Sequence, residues 1–152
     1  MKLGVVSDTH GLLRPQVLPA LRGVDRILHL GDVGDPQILE SLQQVAPVHA
    51  IRGNVDRSGP CSELPESDVL LFEGAYLYLL HDLTTLHLDP VAAKFAAVLY
   101  GHSHKPHIAH RKTVLYFNPG SCGPRRFQLP VTLGLLEIGE GRLQPSIIDL
   151  PV

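Results

Sequence analysis

Asp8, His10, Asp32, Asn54, His81, His102 and His104 share a pattern: each lies in a short polar turn directly after an apolar run. Lys2 to Val6 leads into Asp8-Thr9-His10, and Arg26 to Leu30 into Gly31-Asp32. Val48 to Ile51 leads towards Gly53-Asn54, Tyr76 to Leu80 into His81, and Ala97 to Tyr100 into Gly101-His102-Ser103-His104. Carboxylate and amide oxygens are hard donors, imidazole is a borderline one, and no thiolate joins them. Such a set suits Mn, Fe, Zn or Ni better than Ca, Mg or an iron–sulfur cluster. Seven groups exceed what one tetrahedral ion takes. With one carboxylate as bridge they divide between two ions about 3.5–4 Å apart, the arrangement of dinuclear hydrolases. Two aspartates against roughly +4 of metal charge leave a cationic pocket suited to a phosphate and a hydroxide. His102 and His104, two apart after a buried strand, have few purely structural uses. Taken singly, Asp8 is better explained as a helix cap or turn residue and Gly53-Asn54 as a loop.

The elements that must position these residues follow from the same runs. Short apolar stretches bounded by Gly, Pro, Asn or Asp read as strands. Besides the five above they are Val69 to Phe72, Val114 to Phe117, Val131 to Ile138 and Leu143 to Ile148. Helices are expected over Arg14 to Arg22, with Pro15 early and Gly23 just beyond, and over Asp35 to Gln44, with an Asp cap and Pro36 at the first position. A third, shorter helix is expected over Asp89 to Phe95. Alternating strands and helices early in the chain predict parallel pairing through crossovers, whereas Glu73-Gly74-Ala75 and Gly139-Glu140-Gly141 predict hairpins. The result is a mixed α/β sandwich whose strand-end turns converge on a crevice beyond the carboxyl ends of the sheet. Glycines before Asp32, Asn54 and His102 suit tight turns there.

At 152 residues with 44% hydrophobic content, the chain reads as one domain, residues 1–152, with a real core. A formal charge of −2 provides no global positive field for a nucleic-acid backbone or an anionic membrane, so no stable nucleic-acid complex is expected. The longest stretch free of Asp, Glu, Lys and Arg, Thr113 to Pro124, spans only twelve residues and contains two Pro, which argues against a membrane span. The apolar start meets Asp8 too early to form a secretory signal, so a cytoplasmic protein is expected, with Cys61 and Cys122 reduced. Nothing in the composition decides against a homo-oligomer.

Taken together, the order D-x-H, G-D, G-N, H, G-H-x-H resembles the calcineurin-like metallophosphoesterase superfamily. More narrowly it is similar to the small phosphodiesterase branch that also contains the retromer sorting subunit. Arg52 and Asp56 in I-R-G-N-x-D, and Asn118-Pro119-Gly120-Ser121, extend the likeness from Met1 to about Leu150. The resemblance implies two facing mixed β-sheets flanked by helices, a four-layer αββα sandwich, with two divalent metal ions at the sheet edge. Mn2+ is the expected ion, with Ni2+, Fe2+ or Zn2+ as substitutes. By the same resemblance Asp8, His10, Asp32 and His104 hold the first ion; Asp32 as bridge, Asn54, His81 and His102 hold the second. The implied activity is phosphodiester hydrolysis by a metal-bridging hydroxide, with Asp32, Asn54 and His102 as the catalytic residues and Asn54 also binding the phosphoryl oxygens.

Two positions depart from that pattern. Val55 stands where superfamily members with a strong general acid carry His, so a small phosphodiester or nucleotide-like substrate with a good leaving group is expected rather than an alkyl monoester. Asp82 and Leu83 follow His81 where the family has Gly and often His, which places a carboxylate near the second ion. His87 is a substitute ligand or, more simply, a surface residue. Arg125 and Arg126 are candidates to clamp a substrate phosphate. Lys105, His107, His110, Arg111 and Lys112 read as a solvated face, and His29 and His49 as hydrogen-bonded core residues or supports behind the ligands. The rival readings are a metal-binding but catalytically silent interaction module on the same fold, and a mononuclear zinc amidohydrolase-type enzyme that leaves Gly53-Asn54 without a role.

Overall fold

The computed structural model describes residues 1–152. Ten strands form two five-stranded mixed sheets. The first sheet has the order β10-β9-β1-β2-β3, built from β1 (Lys2–Val6), β2 (Arg26–His29), β3 (Val48–Ala50), β9 (Thr132–Gly139) and β10 (Arg142–Asp149). The second has the order β4-β5-β6-β8-β7, from β4 (Ser67–Phe72), β5 (Ala75–Leu80), β6 (Ala97–Leu99), β7 (His107–Arg111) and β8 (Val114–Asn118). β1, β2 and β3 run parallel, as do β5, β6 and β8. Hairpins join β4 to β5 and β9 to β10 through Glu73-Gly74 and Glu140-Gly141, each pair at positive φ as a two-residue primed turn requires.

Side-chain alternation explains the layers. Leu3 and Val5 of β1 and Leu28 of β2 point between the sheets, where they meet Leu77 and Leu79 of β5, Leu99 of β6 and Phe117 of β8. Val6 and Ile27 point to the opposite face, onto Val17, Leu21, Ile38 and Leu42 of the helical layer. The central strands are thus covered on both sides, which is why they read as continuous apolar runs. Helix α2 (Pro36–Gln43) begins where expected: Asp35 Oδ1 accepts the Gln37 N–H at 2.9 Å, and Ile38 and Leu42 face the core.

Three local expectations change. Of Arg14 to Arg22 only α1 (Val17–Ala20) is α-helical, because Pro19 has no N–H to bond the carbonyl of Pro15 and so belongs in a first turn. Asp89 to Phe95 is a turn instead of a helix: Asp89 Oδ1 still accepts the Val91 N–H, but Lys94 at φ +61° reverses the chain and sends Phe95 onto the Tyr78 ring, 5.2 Å between centroids. With the short 3-10 turn Leu83–Thr85, this turn replaces a helical layer over the second sheet. The basic stretch His107 to Arg111 is solvent-facing as expected, but as the edge strand β7, with the Arg111 guanidinium 4.6 Å above the Tyr116 ring. No helix is long and apolar enough to cross a membrane.

Candidate metal centre

The turns after β1, β2, β3, β5 and β6 all open on the carboxyl-end edge of the parallel strands. Ten non-glycine residues have positive φ. Glu73, Lys112 and Glu140 occupy hairpin turns, whereas Asp8, His10, Asp32, His102 and His104 are all candidate ligands. Left-handed backbone at Asp and His costs energy, and its concentration here marks a site that the surrounding structure forces into shape.

Close backbone approach provides part of that force. A β-carbon on Gly101 would overlap Ser7 Oγ, and one on Gly53 would overlap the Asp32 carboxylate, so both turns need glycine. Hydrogen bonds provide the rest. Gly31 N–H donates to His29 Nδ1 at 3.1 Å, which leaves the proton on Nε2 to reach Thr9 Oγ1 at 3.0 Å; that hydroxyl donates to the Val33 carbonyl at 2.8 Å. This buried chain ties the β1 and β2 turns together, and burial holds the His29 pKa down to about 4, keeping the ring neutral. Asp56 joins the β2 and β3 turns by accepting N–H groups from Val33, Gly34 and Gly53 at 2.9–3.1 Å. Asn118 Nδ2 donates to the Gly101 carbonyl, and Ser121 Oγ to that of Asp8, so the N-P-G-S turn braces the β6 and β1 turns.

All seven predicted ligands come together. Asp8 Oδ1 lies 3.8, 3.7 and 3.5 Å from the Nε2 atoms of His10, His81 and His104. Asp32 Oδ2 lies 3.4 Å from His10 Nε2 and 3.2 Å from His81 Nε2. Asp8, His10 and His104 form one three-ligand cluster, and Asp32, His81 and His102 another. Asn54 Oδ1 joins the second at 3.1 Å from His102 Nδ1. Asp32, within reach of His10 as well as His81, sits between the two. Its other oxygen, Oδ1, accepts the Val55 N–H at 3.0 Å.

The electrostatics fit a cation. Asp8 Oδ1 is buried with no hydrogen-bond donor, and burial raises the pKa of that carboxyl. Burial also raises that of Asp32, but the adjacent His81 ring and the Val55 N–H more than offset it, and the net shift is downward. His81 Nδ1 contacts the Leu30 carbonyl at 2.7 Å, which fixes a proton there and turns Nε2 towards the two aspartates. Burial lowers the pKa of this ring, but Asp32 and Asp8 more than offset it and the net shift is upward, so a bound cation would take the place of a proton on Nε2. Burial, reinforced by Arg126 and His10, keeps the His104 pKa at about 4 and that ring unprotonated. A divalent ion would supply what these atoms lack.

The remaining predicted residues divide. Arg126 is the cation that acts on His104, whereas Arg125 Nη1 donates to Leu129 O on its own loop. Asp82 caps the Leu83–Thr85 turn through Thr84 and places Oδ2 3.8 Å from His102 Nε2, so the carboxylate is beside the second cluster. His49 packs edge-on against Phe72, away from the ligands. The bracing roles of Asp56, Thr9 and Ser121 escaped sequence reasoning because each acts across a long sequence separation. Only the proximity of Asp56 to Gly53-Asn54 hinted at it.

Residues 1–141 match the model of the calcineurin-like phosphoesterase superfamily domain. The chain belongs to this superfamily. It is 33% identical over 160 residues to a probable metallophosphoesterase of Methanothermobacter thermautotrophicus, covering 97% of this chain and 92% of the relative. It is 31% identical over 166 residues to the phosphodiesterase YfcE of Escherichia coli, covering 90% and 88%. Vps29 of Entamoeba histolytica, solved in complex with zinc, superimposes with a TM-score of 0.76 at 22% identity over 98% of this chain and 99% of its own, a likeness of fold. Membership places the chain among hydrolases acting on phosphoester bonds.

Proposed function

We propose that the chain is a dinuclear metal-dependent phosphodiesterase, with Asp8, His10 and His104 holding one ion, His81, His102 and Asn54 the other, and Asp32 shared. The buried Asp8 Oδ1, without a donor and ringed by three imidazole nitrogens, carries the reading. Two divalent ions held by these residues, Mn2+ in the first instance, would supply Lewis acidity and lower the pKa of a bound water towards neutrality. Asn54 directs its amide to His102 and the phosphoryl oxygens, and Arg126 adds positive charge on the His104 side. Val55 provides no proton for the departing alcohol, which favours diesters with acidic leaving groups over alkyl monoesters. The test is Mn- or Ni-dependent cleavage of bis(p-nitrophenyl) phosphate beside an alkyl monoester, with rapid diester turnover and slow monoester turnover expected.

One observation favours the interaction-module alternative. Val69, Leu71 and Tyr76 form an exposed apolar ladder across β4 and β5, a surface such a module would use. Absence of turnover in protein shown to hold both ions would decide for it.

A further inference from the structure

A cleft of about 580 Å3 opens beside the second cluster, lined by Asn54, His81 and Asp82 together with Arg52, Arg57, Ser62 and Glu66, with no hydrophobic residue in its lining. It has no Phe, Tyr or Trp face to favour a nucleobase or an aryl ring. Its carboxylates already have partners. Asp56 accepts three backbone N–H groups, Asp82 caps Thr84, and Glu66 faces Arg52 at 3.8 Å. Ser62 Oγ donates to the Gly59 carbonyl, and Arg52 Nη1 to that of Leu64. Arg57 offers a guanidinium fixed at one end and free at the other: its Nε is anchored on the Asn54 carbonyl at 2.8 Å while its terminal nitrogens make no hydrogen bond or ion pair within the protein, whereas Arg52 is already turned to Leu64 and Glu66. One residue therefore serves both ends of the site: the Asn54 side chain meets His102, and its main chain fixes the guanidinium.

We propose that this cleft is a subsite for a second anionic oxygen group, a carboxylate or phosphate carried on one alcohol of the phosphoester, and that Arg57 reads it. The proposal rests on the phosphoesterase reading and narrows its substrates from nucleotide-like diesters in general to phosphoesters bearing a further negative charge. The fork of a guanidinium held at Nε presents two parallel N–H groups, the geometry that carboxylate and phosphate oxygens match.

The probes are 3-phosphonopropionate and propylphosphonate, which share a phosphonate and differ in a terminal carboxylate, titrated calorimetrically into Mn-loaded protein. The charge-assisted bond predicts that the carboxylate compound binds at least about tenfold tighter to the parent. Arg57→Ala should bring the two to parity and Arg57→Lys should keep part of the difference; Arg57 is exposed, so both variants should fold. Equal affinities in the parent, or a preference that survives Arg57→Ala, would overturn the subsite. Turnover of bis(p-nitrophenyl) phosphate on the same samples separates the two ideas. Its absence alongside an Arg57-dependent preference would remove the phosphoesterase reading and leave the subsite standing.

Discussion

Asp32 carries more of the site than any other side chain, since its two oxygens reach His10, His81 and the Val55 N–H. Asp32→Asn keeps the shape and removes the charge that the proposed bridge between two ions needs. Turnover should fall on the order of 100-fold and stay low at saturating Mn, as expected when a preorganised charge is lost. His102→Ala removes a half-exposed ligand from one cluster only, so raising Mn should restore part of its activity. Assays of both variants over a metal titration check the contrast. His29 gives a pH prediction for the metal-free protein. Its ring is neutral in the fold down to a pKa of about 4, whereas in the unfolded chain it takes a proton below its ordinary value of 6.5. The His29 contribution is therefore present above pH 6.5 and is lost as pH falls towards 4, by at most about 1.4 kcal/mol per unit. Urea midpoints at pH 7.5 and 5 should drop less in His29→Gln than in the parent; equal drops would show that His29 titrates in the fold much as it does outside it.

Turns do more here than strands. Parallel β1, β2 and β3 only bring the loops to one edge; Asp56 and the glycines bring them into contact. Asp56→Ala would strand three buried or half-buried N–H groups, at a cost of about 3 kcal/mol, and should also loosen metal binding through Asp32 and Asn54. Gly101→Ala forces a methyl against Ser7 and Asp8 and should cost about 1–3 kcal/mol. Thermal melts of both variants, with and without Mn, measure these losses. The central strands were legible because burial on both faces leaves apolar runs, and the ligands were legible because each follows an apolar run. β7 was not, since an edge strand written His-Ile-Ala-His-Arg has neither an apolar face nor alternation. The turn at Asp89 to Phe95 carries a true cap signal, and its early end is set by packing of Phe95 on Tyr78, which no local pattern encodes.

The whole molecule is two sheets sharing an apolar core, with nearly all its unpaired buried chemistry at one rim. Asp8 and Asp32 place two carboxylates in a rim crowded with imidazoles, an arrangement that bound cations would complete. The most direct test of that account is the Mn content of the reconstituted protein by mass spectrometry, with the ions located by anomalous scattering. The account predicts two equivalents per chain, one against Asp8, His10 and His104, the other against His81, His102 and Asn54, with Asp32 touching both. Saturation at one equivalent, with His81 and His102 left without a metal, would contradict it and would point to the Asp82 carboxylate beside His102 as the feature that disables the second position.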